Sequence, residues 1–146
     1  MTDISFLEWP FLDKSHKDLY VELEDWAHNN LKELDHNNVD HTCKLLVSKL
    51  GSVGFLNYSG VSEKNKKVDV RSLCLIRETL AKHDGLADFS FAMQGLGSMP
   101  ISLHGNPAQQ TLWLPKIQAG EAISAFALSE PRSGSDVANI ELLAER

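Results

Sequence analysis

From Ser15 onward, apolar residues recur every three or four positions. Leu19, Leu23, Trp26, Asn30 and Leu34, flanked by Tyr20, Ala27 and Leu31, draw one stripe and predict a helix with a single buried face. Asp13 or Ser15 can cap its start. A second helix is expected over about 40–50, with Leu46, Val47 and Leu50 inward and Gly51 as its C-cap. The stretch 51–68, rich in Gly, Ser, Asn and Lys, reads as a loop. Asp69 then caps a third helix whose faces are marked by Leu73, Ile76, Arg77 and Leu80, and Gly85 ends it. A fourth, largely apolar helix over about 86–103 has so little charge that burial on most sides is expected.

The sharpest local signal follows. Asn106-Pro107-Ala108-Gln109 combines a good N-cap, proline at the first helical position and glutamine at the third, which together form a capping-box start. Trp113 and Ile117 are expected to face inward, Pro115 to shorten or kink the helix, and Ala119-Gly120 to end it. After Glu121, the run Ala122–Leu128 holds Ile and Phe and no helical stripe, so it predicts a buried strand. The pattern therefore predicts a mainly α fold: five helices forming a bundle over 1–120, then 121–146 opening with the first strand of a further unit. On this reading the chain is the front part of a longer protein.

Composition narrows the class. Of 146 residues, 42% are hydrophobic and 23% charged, normal values for a globular domain and unlike a disordered tail. The net charge of −6 argues against nonspecific nucleic-acid binding. The single basic run, Lys64-Asn65-Lys66-Lys67, reads as a solvated loop. Cys43 and Cys74 stand far apart without a CxxC partner, which points to free thiols in a reducing compartment. No apolar run nears the roughly 20 residues of a membrane span. The N-terminal residues lack a secretory or transit pattern, so a soluble cytoplasmic protein is expected.

Several chemistries fall away. The stretch Gly95–Met99 (GLGSM) follows no strand and reads as close helix packing, not a nucleotide loop. His36 and His41 bracket a turn at poor metal spacing and read as solvated loop histidines, so no metal is expected. Glu22, Glu24, Asp25, Glu33 and Asp35 read as a solvated outer face. No catalytic residue is assigned.

Residues 126–135 remain. A strand that breaks at Pro131 and turns through Gly134 would expose consecutive N–H groups beside the hydroxyls of Ser129, Ser133 and Ser135, an arrangement suited to ring carbonyls or phosphate oxygens. An ordinary Gly/Ser turn between strands is an equal reading of the same residues. The stretch "AFALSEPRSGSDVANI" (125–140), however, closely resembles the acyl-CoA dehydrogenase signature of a hydrophobic strand followed by (T/S)-E-P-x-(A/S)-G-S-D. Upstream, "GNPAQQTLWLPKIQAGE" (105–121) resembles that family's G-x-x-x-Q-x-x-x-(Y/W)-L-P-x-x-x-x-G-E segment.

The resemblance implies an N-terminal helical domain, a central β-domain and a C-terminal bundle, with FAD bound between them in a homotetramer. It implies oxidation of an acyl-CoA thioester at its α and β carbons, with electrons leaving through an electron-transfer flavoprotein. Carried onto this chain, the flavin-contacting stretch would be Phe126, Ala127, Leu128, Ser129, Glu130, Pro131, Arg132, Ser133, Gly134 and Ser135. Ser129 would hydrogen-bond near flavin N5, and Ser135 would lie where FAD phosphate and the CoA arm of the substrate meet. Glu130 would hold the turn, and the fourth helix would help wall the acyl pocket. The stretch "NYSGVSEKNKKVDV" (57–70) departs from the family's P-E-x-x-G-G-x-G loop, and Arg132 replaces a residue that is commonly small. The family's catalytic glutamate has no counterpart in this sequence. A serine hydrolase using Ser133 or Ser135 lacks the G-x-S-x-G elbow. A noncatalytic helical interaction module is the alternative reading.

Overall fold

A computed structural model describes residues 3–61, 67–143 and 145, so Lys64, Asn65 and Lys66 of the basic run lie outside the described residues. Five α-helices form among them: α1 (Lys14–Asn30), α2 (Val39–Ser52), α3 (Val70–His83), α4 (Gly85–His104) and α5 (Pro107–Gln118). α4 is the hub and packs on α2, α3, α5 and a short 3-10 turn, Phe55–Ser59, inside the expected loop; α1 lies on α3. The core joins Leu19, Leu23 and Ala27 of α1 to Leu46, Val47 and Leu50 of α2. Phe55 and Leu56, Ile76 and Leu80 of α3 and Phe91 of α4 complete it.

The caps explain where the helices start. Asn106 and Gln109 close the capping box of α5 reciprocally, each with a 2.9 Å bond. Asp84 Oδ1 accepts from Ala87 N–H and caps α4, so Gly85 opens α4. α1 uses Asp13, whose backbone N–H donates to His16 Nδ1 at 3.0 Å. That bond leaves His16 Nε2 as the proton-bearing nitrogen, 2.7 Å from Asp69 Oδ2. Asp69 in turn accepts from the backbone N–H of Arg71 and caps α3. A buried histidine thus ties the starts of α1 and α3 together. Burial pushes the Asp69 carboxyl up, but bonds from the Arg71 guanidinium, His16 and the Arg71 N–H outweigh it and hold its pKa at about 2.

This depression fixes a pH dependence. The stabilisation from Asp69 is present above the ordinary carboxylate value of 3.8 and is lost as pH falls from there through about 2. Asp69→Asn keeps an oxygen for the cap and removes the charge. It should lower the urea midpoint at neutral pH and flatten the acid limb. Parallel acid limbs for the two proteins would contradict the coupling.

Several expectations change. Gly51 is not a C-cap; α2 runs through it to Ser52, and Gly54 takes the left-handed conformation with φ of 86°. Gly51 is glycine because a Cβ there would stand 2.4 Å from the Ala119 carbonyl carbon. On α5, Trp113 is 44% exposed, and Leu114 instead joins Ile117 inside. α4 is not buried on most sides as expected. Its buried positions are Ala87, Ser90, Phe91, Gln94, Ser98 and Ser102, whereas Phe89, Leu96 and Leu103 face outward. Ser90, Gln94, Ser98 and Ser102 lie four apart on one face; the small serines let neighbours approach closely and Gln94 bonds to them, and that contact decides the inward face. Glu24 is part-buried and takes a 2.6 Å bond from Lys82, joining α1 to α3, while Glu33 and Asp35 lie beyond the end of α1. His36 pairs with Asp84 at 3.0 Å, and His41 sits in the first turn of α2.

The strand expected over 122–128 does not form. Among the described residues the run carries no strand pairing, and Ile123, Phe126 and Leu128 are exposed. A strand exists only through a partner that takes its backbone bonds, and no described segment offers one.

Candidate functional site: the turn at 126–135

The chain reaches the turn along a fixed route. It leaves α5 through Gly120, at φ 74°, where a Cβ would meet Val47 O at 2.5 Å. It then crosses α4 at Gly97, where a Cβ would lie 2.7 Å from Ser124 Cβ and 2.8 Å from Ala125 N. Of the two glycines in the GLGSM stretch, Gly97 is therefore a close-packing glycine, whereas a Cβ on Gly95 would come no nearer than 3.5 Å to Ser59 O.

The turn itself is closed from within. Glu130 N–H donates to Ser133 O at 2.7 Å, and Ser133 N–H donates back to Glu130 O at 3.2 Å. Pro131 and Arg132 occupy the two corners, and proline suits the first corner because its φ is preset. The Glu130 carboxylate reaches across to accept from the backbone N–H groups of Glu141 at 2.7 Å and Leu142 at 3.0 Å. The returning chain is thus bound to the turn, and Arg132 adds an exposed 3.6 Å contact to Glu141. Between the two arms, 127–131 and 140–142, lies an open cleft of about 430 Å³.

Not every expected donor is available. Ser133 is 2% exposed, and its hydroxyl donates to Asp136 O at 2.6 Å, so it serves the turn. Gly134 does not adopt a left-handed conformation, so no alternating nest of N–H groups forms there. A Cβ on it would meet nothing within 4 Å, so the position is open to solvent. Ser129, Gly134 and Ser135 are exposed, and none of their donors takes part in a hydrogen bond among the described residues. Phe126 and Leu128, 41% and 37% exposed, place apolar surface on the chain just before Ser129. No group of three or more His, Cys, Asp or Glu side chains among the described residues is arranged to hold a metal ion.

Sequence reasoning missed Gln94. It is fully buried on α4 and hydrogen-bonds to residues 117, 122 and 124. Its signal was a lone amide within the apolar run "FSFAMQGLGSM".

The fold is thus a helical bundle centred on α4 that leads into an exposed polar turn. Residues 13–121 match the acyl-CoA dehydrogenase, N-terminal domain. A probable acyl-CoA dehydrogenase of Bacillus subtilis (strain 168) is 32% identical over 123 residues, 80% of this chain and 19% of that protein. The very long-chain specific acyl-CoA dehydrogenase of Mus musculus mitochondria is 32% identical over 129 residues, 88% of this chain and 17% of that protein. The crystal structure of an acyl-CoA dehydrogenase complexed with FAD from Bacillus anthracis superposes with a TM-score of 0.71 at 28% identity. That alignment covers 97% of this chain and 27% of the neighbour. This chain belongs to the acyl-CoA dehydrogenase family. It spans about a fifth of the length of these two curated relatives.

Proposed function

We propose that this chain supplies the N-terminal helical domain (1–120) and the flavin-contacting turn, at the start of a β-domain (121–146), of an FAD-dependent acyl-CoA dehydrogenase. The observation that carries the reading is the set of open donors at Ser129, Gly134 and Ser135, on a turn entered through exposed Phe126 and Leu128. A flavin needs both: apolar support for the ring and donors at its polar edge. The space beside Gly134 suits a bulky phosphate-bearing group.

When bound, FAD supplies the hydride acceptor for α,β-dehydrogenation of an acyl-CoA thioester. The residues of this chain bind and orient. Phe126 and Leu128 support the ring, and Ser129 donates to its edge. Ser135 stands towards the FAD phosphate and the CoA arm, with the positive charge of Arg132 close by. Glu130 holds the turn closed. The outward face of α4, with Phe89, Leu96 and Leu103, offers an apolar wall for an acyl chain. Electron-transfer flavoprotein as the electron acceptor and a homotetrameric assembly complete the proposal.

The test is anaerobic titration of the purified intact protein with acyl-CoA thioesters of increasing chain length. The expected result is a yellow protein whose visible flavin band bleaches on addition. A protein that neither carries nor takes up FAD would overturn it in favour of a noncatalytic helical module.

A further inference from the structure

Gln94 stands midway along α4 with no solvent exposure. Its amide nitrogen donates to Ile117 O in the last turn of α5 at 3.3 Å and to Ala122 O at 3.0 Å. Its Oε1 accepts from the backbone N–H of Ser124 at 2.7 Å. The Ser124 hydroxyl turns back to α4, 2.9 Å from the carbonyl oxygen of Gln94 itself. One planar group therefore holds the end of α5 and two residues of the segment beyond it. The task needs two N–H donors and an acceptor on one side chain, which only Asn and Gln provide, and Gln has the longer reach. Gly97 completes the seat by letting residues 124 and 125 lie against the helix backbone.

The seat adjoins the candidate site. Phe126 follows Ala125 directly, and Ser129 is five residues past Ser124. Among the described residues, no hydrogen bond anchors 125–129 elsewhere. The height of this stretch on the bundle is consequently set at Gln94 and, beyond the stretch, at Glu130. We propose that Gln94 is a positioning residue: its amide fixes residues 122–124 on α4 and so sets where Leu128 and Ser129 meet the flavin. This inference rests on the flavin-contacting reading of the turn.

Ser98 provides the internal control. It is one helical turn further along α4, is also buried, and bonds to Ser59 O at 3.4 Å and Gly95 O at 3.3 Å, away from the turn. A residue that only stabilises the bundle would resemble Ser98 in its effects. The experiment compares the intact FAD-loaded protein with Gln94→Met, Gln94→Asn and Ser98→Ala, measuring thermal midpoint, FAD dissociation constant and the shape of the visible flavin band.

Gln94→Met removes several buried hydrogen bonds to the segment. It should weaken FAD binding by about ten-fold or more and alter the band shape. Gln94→Asn keeps the groups but shortens their reach and should fall between Met and the wild type. Ser98→Ala should lower the midpoint while leaving the band and the dissociation constant unchanged. If Gln94→Met does not fold, Gln94→Asn decides by the same two flavin readouts. Gln94 variants that bind FAD with wild-type affinity and band shape overturn the proposal. A wild-type protein that takes up no FAD overturns the flavin reading beneath it, a separate outcome.

Discussion

If the turn contacts flavin as proposed, replacing Ser129 with alanine in the intact protein is expected to slow flavin reduction by acyl-CoA by about one to two orders of magnitude. The Ser129 hydroxyl is exposed and bonded to nothing among the described residues, so it is free to donate to a ligand. A donor aimed at a group that gains negative charge contributes roughly 1.5–3 kcal/mol, and more of it is expressed once the charge has formed. Alanine should therefore lower the flavin potential while affecting binding of oxidised FAD much less. Ser129→Thr retains the hydroxyl and should be mild. Stopped-flow reduction under anaerobic conditions compares the two, and equal behaviour of alanine and threonine would remove Ser129 from the chemistry.

Glu130→Ala is expected to weaken FAD binding by about 10- to 100-fold, because it unties the returning chain. Two backbone donors, at Glu141 and Leu142, depend on its carboxylate. Without them the cleft between 127–131 and 140–142 loses its second wall, although the backbone pair between Glu130 and Ser133 survives. Glu130→Gln keeps one acceptor oxygen for the same N–H groups and should lose only a few-fold. Amide exchange gives an independent readout: the Glu141 and Leu142 N–H groups should exchange faster in Glu130→Ala than in the parent. An unchanged FAD dissociation constant together with unchanged exchange would show that the turn closes without this carboxylate.

The helices were legible in the sequence because their causes are local. The Asn106–Gln109 capping box and the Asp69 cap depend on residues two or three apart, and both stand as expected. The stripe from Leu19 to Ala27 likewise buries as its spacing implies. What the sequence misled on was decided by partners distant along the chain. The run 122–128 has strand composition, but composition cannot supply a neighbouring strand. Gly51 resembled a helix stop, yet its role is to let Ala119 approach, 68 residues later. α4 suggested an apolar interior, but its small and amide residues face inward because α5 and the segment after it press close there.

The candidate site divides the same way. The motif at 126–135 singles out a stretch but could not separate its serines. The separation comes from three-dimensional bonding: Ser133 is spent on Asp136, whereas Ser129 and Ser135 stay open. Gln94 escaped because nothing in its immediate sequence shows that it will meet residue 124, 30 positions on.

The central claim is that the 126–135 turn contacts the flavin, and the crystal structure of the intact protein with FAD bound tests it most directly. The isoalloxazine ring should lie against Phe126–Ser129, with Ser129 Oγ about 3 Å from a ring heteroatom and the Gln94–Ser124 bond intact. A ring bound elsewhere, with Ser129 facing solvent, would contradict it.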